Sequence, residues 1–206
     1  MKVKICGLCT EEAVLAAEDA GADFLGFIFY EKSHRHVLPE EVRGLTKHVR
    51  RAKTVGVFVD APLDEVNAAA DFCSLDFVQL HGHESAAYAR AVCRPVIKAF
   101  RWGDDFSAEE ANDYPAEIIL LDSFSKDAVG GTGQRFRWRE AAEETARLEK
   151  PLLVAGGIAS GNVREAEEVF RPYGVDVSGS LEIEKRKSVE RIREFMAVVQ
   201  KRRIPE

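Results

Sequence analysis

Short runs rich in Val, Ile, Leu and Phe recur along the whole chain, at residues 3–6, 24–29, 54–59, 77–80, 96–100, 118–121, 152–155 and 175–178. Apolar residues in these runs are near-continuous rather than alternating, the pattern of strands buried on both faces in a parallel arrangement. The segments between them carry helical spacing. Val189, Ile192, Phe195, Met196 and Val199 form one stripe of an amphipathic helix. Leu63, Val66, Ala70 and Phe72 form a looser one, with Pro62 predicted in its first turn. Thr10 before Glu11 and Glu12 reads as an N-cap followed by acids in the first turn, and Gly21 as that helix's stop. Pro39-Glu40-Glu41 opens another helix, while residues 107–113 leave room for about two turns.

Strand and helix thus alternate eight times, in units of roughly 26 residues. Ala22-Asp23-Phe24, Leu75-Asp76-Phe77 and Val175-Asp176-Val177 each introduce a strand in this reading, as a faint internal repeat. Eight consecutive βα units most simply close into a single-domain (β/α)8 TIM barrel with parallel strands, spanning residues 1–206. A doubly wound open sheet is the alternative. It would normally carry Gly-x-Gly-x-x-Gly after strand 1, and that motif is missing.

Composition narrows the partners. The net charge is −6, which gives no broad basic surface and argues against nucleic acid. Neither an apolar leader nor a run of about 18 apolar residues is present, so a cytoplasmic chain without a membrane partner is expected. Four cysteines, Cys6, Cys9, Cys73 and Cys93, are too sparse for a disulfide scaffold. An acidic chain that binds an anion must do so locally, with backbone N–H groups and one or two arginines.

In a barrel of this kind, active-site residues project from the C-terminal ends of the strands and the loops beyond them. Cys6 ends strand 1 before Gly7, where a nearby helix N-terminus would lower its thiol pKa from about 8.5. Its alternative role is that of a small buried apolar residue. Asp122 ends strand 6, as a cap or as an acid; together with Cys6 it could flank a pocket one ligand wide, base and acid on opposite sides. Gly156-Gly157 and Ser178-Gly179-Ser180 end strands 7 and 8, where barrels commonly hold a phosphate. Arg35, in Ser33-His34-Arg35-His36, could pair with a carboxylate through its fork, or be a solvated loop charge. His81 reads as a pocket wall, an acid/base group or a loop hydrogen-bonder. Cys6-Gly7-Leu8-Cys9 also has the spacing of a redox or metal pair, but no second pair completes a metal site. Lys2 and Lys4 are read at the N-terminal side of strand 1, away from the chemistry.

Taken in order, these motifs resemble the phosphoribosylanthranilate isomerase family over nearly the whole chain. The resemblance is carried by Lys4-Ile5-Cys6-Gly7, Gly26-Phe27-Ile28-Phe29 with Ser33-x-Arg35, Val55-Gly56-Val57-Phe58-Val59, Val78-Gln79-Leu80-His81-Gly82, Leu121-Asp122-Ser123, Gly130-Gly131-Thr132-Gly133, Leu153-Val154-Ala155-Gly156-Gly157-Ile158 and Val175-Asp176-Val177-Ser178. It implies an Amadori rearrangement in tryptophan biosynthesis, without cofactor or metal. N-(5-phosphoribosyl)anthranilate would become 1-(2-carboxyphenylamino)-1-deoxyribulose 5-phosphate. By the same resemblance Asp122 is the general acid and Cys6 the general base. Arg35 faces the anthranilate carboxylate, and Gly156, Gly157, Ser178 and Gly179 hold the phosphate. His81 and Asp176 contact the substrate, and Gly130-Gly131-Thr132-Gly133 is a segment beside the ligand. A monomer or homodimer is implied.

The chain departs from the family pattern in three places. Ser178-Gly179-Ser180-Leu181-Glu182 replaces the usual Ser-Ser-Gly-Val-Glu, moving the glycine one position earlier; Cys9 stands where Thr or Arg is usual; His34 stands for a frequent proline. The alternatives are another phosphosugar barrel, such as an epimerase or indole-glycerol-phosphate synthase, or a barrel that binds without converting its ligand.

Overall fold

The computed structural model describes residues 1–103, 105–122 and 133–201. Eight parallel strands, β1 (Lys2–Cys6), β2 (Phe24–Ile28), β3 (Lys53–Phe58), β4 (Phe77–Leu80), β5 (Val96–Arg101), β6 (Ile118–Asp122), β7 (Leu152–Ala155) and β8 (Gly174–Val177), alternate with helices. These are α1 (Glu11–Asp19), α2 (Pro39–Thr46), α3 (Leu63–Phe72), α4 (Ala86–Ala91), α5 (Ala108–Asp113), α6 (Gly133–Thr145), α7 (Val163–Phe170) and α8 (Val189–Gln200). Each strand pairs with the next, and β1 pairs with β8, so the sheet closes into the expected barrel.

Local chemistry sets the helix ends. The Thr10 hydroxyl accepts from Ala13 N at 3.3 Å to start α1, and Gly21 takes φ +81° beyond its end. The Ser107 hydroxyl caps α5, which has 6 residues, matching the two turns available. Pro62 stands one position earlier than expected, as the extended residue before α3 rather than inside its first turn.

Strand register divides the apolar residues into two cores. Phe24, Val55, Ile97, Ala99, Ile118, Leu120, Leu153 and Ala155 point into the barrel, with Phe77 packed against them. Alternate residues, such as Ile5, Leu25, Val78, Ile119 and Val154, pack outward beneath the helices. Both faces are therefore covered, which is why the runs read as continuous.

Three expectations are corrected. The Asp repeat is not one motif. Asp23 and Asp76 precede their strands, accepting from Val3 N and Thr54 N at 2.9 Å each and pairing with Lys2 and Lys53. Asp176 instead lies inside β8, where strand alternation turns its carboxylate into the barrel. Lys4 does not sit at the open N-terminal rim with Lys2: it is fully buried, with Nζ 3.0 Å from Asp176 Oδ1, while Lys2 stays exposed. The loop after β8 is also more than a turn. It folds as a 3-10 turn, Gly179–Leu181, and a two-stranded hairpin, β9 (Glu182–Ile183) and β10 (Arg186–Lys187).

Candidate active site

A cavity of about 510 Å³ opens at the C-terminal ends of the strands. Its lining includes Cys6, Arg35, His81, Asp122, Gly156, Gly157, Asp176, Ser178 and Gly179. The candidates singled out by position and Asp176, which the family resemblance alone implied, thus share one chamber. Gly130, Gly131 and Thr132 lie outside the described residues, and Gly133 opens α6.

Each wall has its own cause. Cys6 and Asp122 end β1 and β6 with inward parity, as Cys6 pairs with Gly26 and Asp122 with Ala155. The Cys6 thiol does not have the lowered pKa expected from its sequence position. Burial pushes it up, and the nearby Lys4 ammonium pulls it only part of the way back. Residues 7–10 separate Cys6 from the N-terminus of α1, a span over which the helix dipole has little reach.

Arg35 lies across Gly7. Gly7 has φ +78°, and a Cβ there would come within 2.4 Å of the Arg35 side chain, so glycine alone suits both its conformation and this contact. The guanidinium grips Glu182 with Nε and, at 3.0 Å, Nη2. Glu182 also receives Lys187 Nζ and His34 Nε2.

His81 accepts at Nδ1 from Gln79 Nε2 at 2.8 Å. Burial lowers its pKa despite the charges of Asp122 and Asp176, so the ring is neutral at pH 7 and carries its proton on Nε2. Gln79 Oε1 is buried without a hydrogen-bond partner among the described residues. Asp176 is raised by burial and held back by Lys4.

The loops after β7 and β8 are tied to their surroundings. Gly156 and Gly157 have φ +85° and +73°, two successive left-handed positions that leave bare backbone facing the cavity. The Ser180 hydroxyl donates to Ile158 O at 2.6 Å, and the Ser178 hydroxyl to Cys6 O at 2.8 Å. The displaced glycine, Gly179, is not required by its backbone: a Cβ there would meet only Arg35 Nη2, at 3.5 Å.

Lys4, Glu182 and Lys187 were missed as site residues. For Lys4 a signal existed, because a residue two before Cys6 shares its face of the strand. For Glu182 the signal was its match to the last residue of the family's Ser-Ser-Gly-Val-Glu loop; Lys187 gave none, since the hairpin that folds it back is a tertiary contact. Cys9 is exposed and unpaired with Cys6, its Sγ instead approaching Arg35 O at 3.4 Å. Among the described residues no cluster of three or more His, Cys, Asp or Glu side chains is arranged to hold a metal ion, and no helix is long and apolar enough to cross a membrane.

Comparison with known proteins identifies the architecture. The family model described as N-(5'-phosphoribosyl)anthranilate (PRA) isomerase matches residues 3–198. The N-(5'-phosphoribosyl)anthranilate isomerase of Geobacter sp. (strain M21) is 46% identical over 202 residues, covering 97% of this chain and 98% of its own. A crystal structure of mutually generated monomers of the dimeric isomerase from Thermotoga maritima aligns with a TM-score of 0.85 and 32% identity, over 97% of this chain and 98% of that one. Another, of the isomerase in complex with reduced 1-(o-carboxyphenylamino)-1-deoxyribulose 5-phosphate, gives 0.84 and 32% over the same shares. Placed on this barrel, with a cavity at its strand ends lined by Cys6, Asp122 and the glycine loops, these matches show that the chain belongs to the N-(5'-phosphoribosyl)anthranilate isomerase family.

Proposed function

We propose that this isomerase of tryptophan biosynthesis carries out its rearrangement with Asp122 as general acid and Cys6 as general base. Asp122 protonates the furanose ring oxygen of N-(5-phosphoribosyl)anthranilate, and the ring opens to a Schiff base. Cys6 then removes the C2′ proton, and the resulting enolamine tautomerises to the ketone, 1-(2-carboxyphenylamino)-1-deoxyribulose 5-phosphate. The observation that carries this reading is the presence of both groups in one cavity, between the two loops suited to a phosphate.

The phosphate sits against Gly156, Gly157, Ser178 and Gly179. Backbone N–H groups there offer hydrogen bonds without formal charge, which suits a chain of net charge −6. Arg35 meets the anthranilate carboxylate. Its fork has five N–H donors, and Glu182 receives two of them, which leaves three for a substrate carboxylate. His81, neutral with its proton on Nε2, donates to a substrate oxygen, and Asp176 borders the sugar.

Cys6→Ser and Asp122→Asn test the assignment. Each is expected to lower kcat by about 10²–10⁴-fold, followed by the loss of anthranilate fluorescence, while binding of a phosphorylated product analogue persists. Turnover near that of the parent in either variant overturns the role. A parent protein that binds the substrate without converting it overturns the reading as a whole.

A further inference from the structure

Lys4 is fully buried in the barrel, where a charged side chain is rarely found without a partner. Its Nζ reaches Asp176 Oδ1 at 3.0 Å across the β1–β8 ladder, where the two are register partners. A second group faces it. A Cβ built on Gly26, the register partner of Cys6, would lie 3.0 Å from Lys4 Nζ and 3.0 Å from Cys6 Sγ. The missing side chain of Gly26 therefore leaves one pocket, and the ammonium and the sulfur converge on it.

We propose that Lys4 is a positioning residue for the Cys6 thiolate, supplying the counter-charge that the sulfur needs once its proton has left. Asp176 anchors the ammonium, and the space at Gly26 brings it to the sulfur. This inference rests on the reading of Cys6 as the base. A buried thiolate is costly unless paired, and a buried Lys–Asp pair is by itself a weak source of stability. The pair makes physical sense if the ammonium serves a second anion.

The electrostatics agree. Burial raises the Cys6 thiol, and Lys4 is the strongest influence opposing that rise. Lys4 itself stays charged, because Asp176 and Cys6 more than offset its burial. The other charged groups around the pair act from several elements. Asp176 of β8 opposes ionisation of the thiol and Lys187 of β10 favours it. Arg35, from the loop after β2, interacts with the sulfur, and His81 and Asp122 act on Asp176.

The test compares Asp176→Asn with Lys4→Met/Asp176→Asn, both in a Cys9→Ser/Cys93→Ser background. Neither variant leaves a buried carboxylate without its counter-charge, and the two differ only in the ammonium. Alkylation of Cys6 by iodoacetamide, followed against pH by mass spectrometry without substrate, reads the thiol directly. The midpoint should lie about one pH unit or more higher when Lys4 is Met. In the Lys4→Met single variant, kcat should fall about tenfold or more at pH 7 and recover as pH rises, with KM within about threefold of the parent. Equal alkylation midpoints, or a loss confined to KM, overturn the proposal. Turnover retained in Cys6→Ser overturns the base reading instead, and the substrate-free midpoints still decide the role of Lys4.

Discussion

Arg35 grips Glu182 through two prongs, Nε to Oε1 and Nη2 to Oε2, the latter at 3.0 Å. The arginine that meets the substrate carboxylate in our reading is thus oriented by a carboxylate of its own chain. Burial alone would raise the Glu182 carboxyl, but hydrogen bonds from Arg35, Lys187 and His34 bring it down to about 2. A folded pKa below the ordinary 4.5 means that the stability from this cluster is complete above that pH and is lost as pH falls toward 2. Glu182→Gln should cost about 1 kcal/mol at pH 7, given solvent screening of a half-buried group. In urea melts, the gap between parent and variant should close below about pH 4; a gap of constant size would contradict the assignment.

The loops after β7 and β8 should respond unequally to a methyl group. Gly156→Ala forces a left-handed φ on a residue with a Cβ and should cost about 1–2 kcal/mol, with a raised KM. Gly179→Ala meets only ordinary contact and should stay within about 0.5 kcal/mol of the parent. Thermal melts of the two variants side by side check this. Equal destabilisation would mean that the displaced glycine is required after all.

Gly26→Ala places a methyl 3.0 Å from both Cys6 Sγ and Lys4 Nζ. Displacing either group disturbs the base, so kcat should fall by about tenfold or more, with stability reduced by about 1–3 kcal/mol. Single-turnover kinetics at saturating substrate separate the two effects. An unchanged chemical step would show that the space at Gly26 does not matter to the site.

Glu18 offers the contrasting case, far from the cavity. Its buried carboxylate accepts from Arg50 N, Arg51 N and Ala52 N at 3.2, 2.8 and 3.2 Å. Burial would raise its pKa, yet these hydrogen bonds hold it low, so its contribution is present at neutral pH and fades under acid. Glu18→Gln turns an amide N–H₂ toward those donors and should cost about 1–3 kcal/mol. Its kcat at a temperature where it is fully folded should match the parent; a lowered kcat would tie this end of the barrel to the chemistry.

Cys9→Ser is expected to keep parental turnover, with or without reductant, because the Cys9 thiol is exposed and bonds to backbone carbonyls rather than to Cys6. Loss of activity on this substitution would revive a redox role for the Cys-x-x-Cys spacing.

Much of this protein was legible in the order of its residues. The eight apolar runs match β1–β8 to within one residue at every end, because strands covered on both faces need continuous apolar sequence. Cys6, Asp122, Gly156 and Ser178 could be chosen from position alone, since a closed parallel barrel puts every strand's C-terminal end at the same mouth. The capping residue Thr10 acts within four residues of itself, so local sequence specified it as well.

What depended on contacts between distant segments could only be settled by the tertiary structure. The sign of the Cys6 shift turned on how deeply β1 is buried, which outweighs a helix terminus several residues away. Lys4 and Asp176, 172 positions apart, face each other only because the closing β1–β8 register aligns them. Arg35 found Glu182 because a short hairpin after β8 folds back over the mouth. Alternation and capping are local consequences of backbone geometry. The charge state of a buried group depends on every neighbour that the closed barrel brings to it, and no stretch of sequence contains that set.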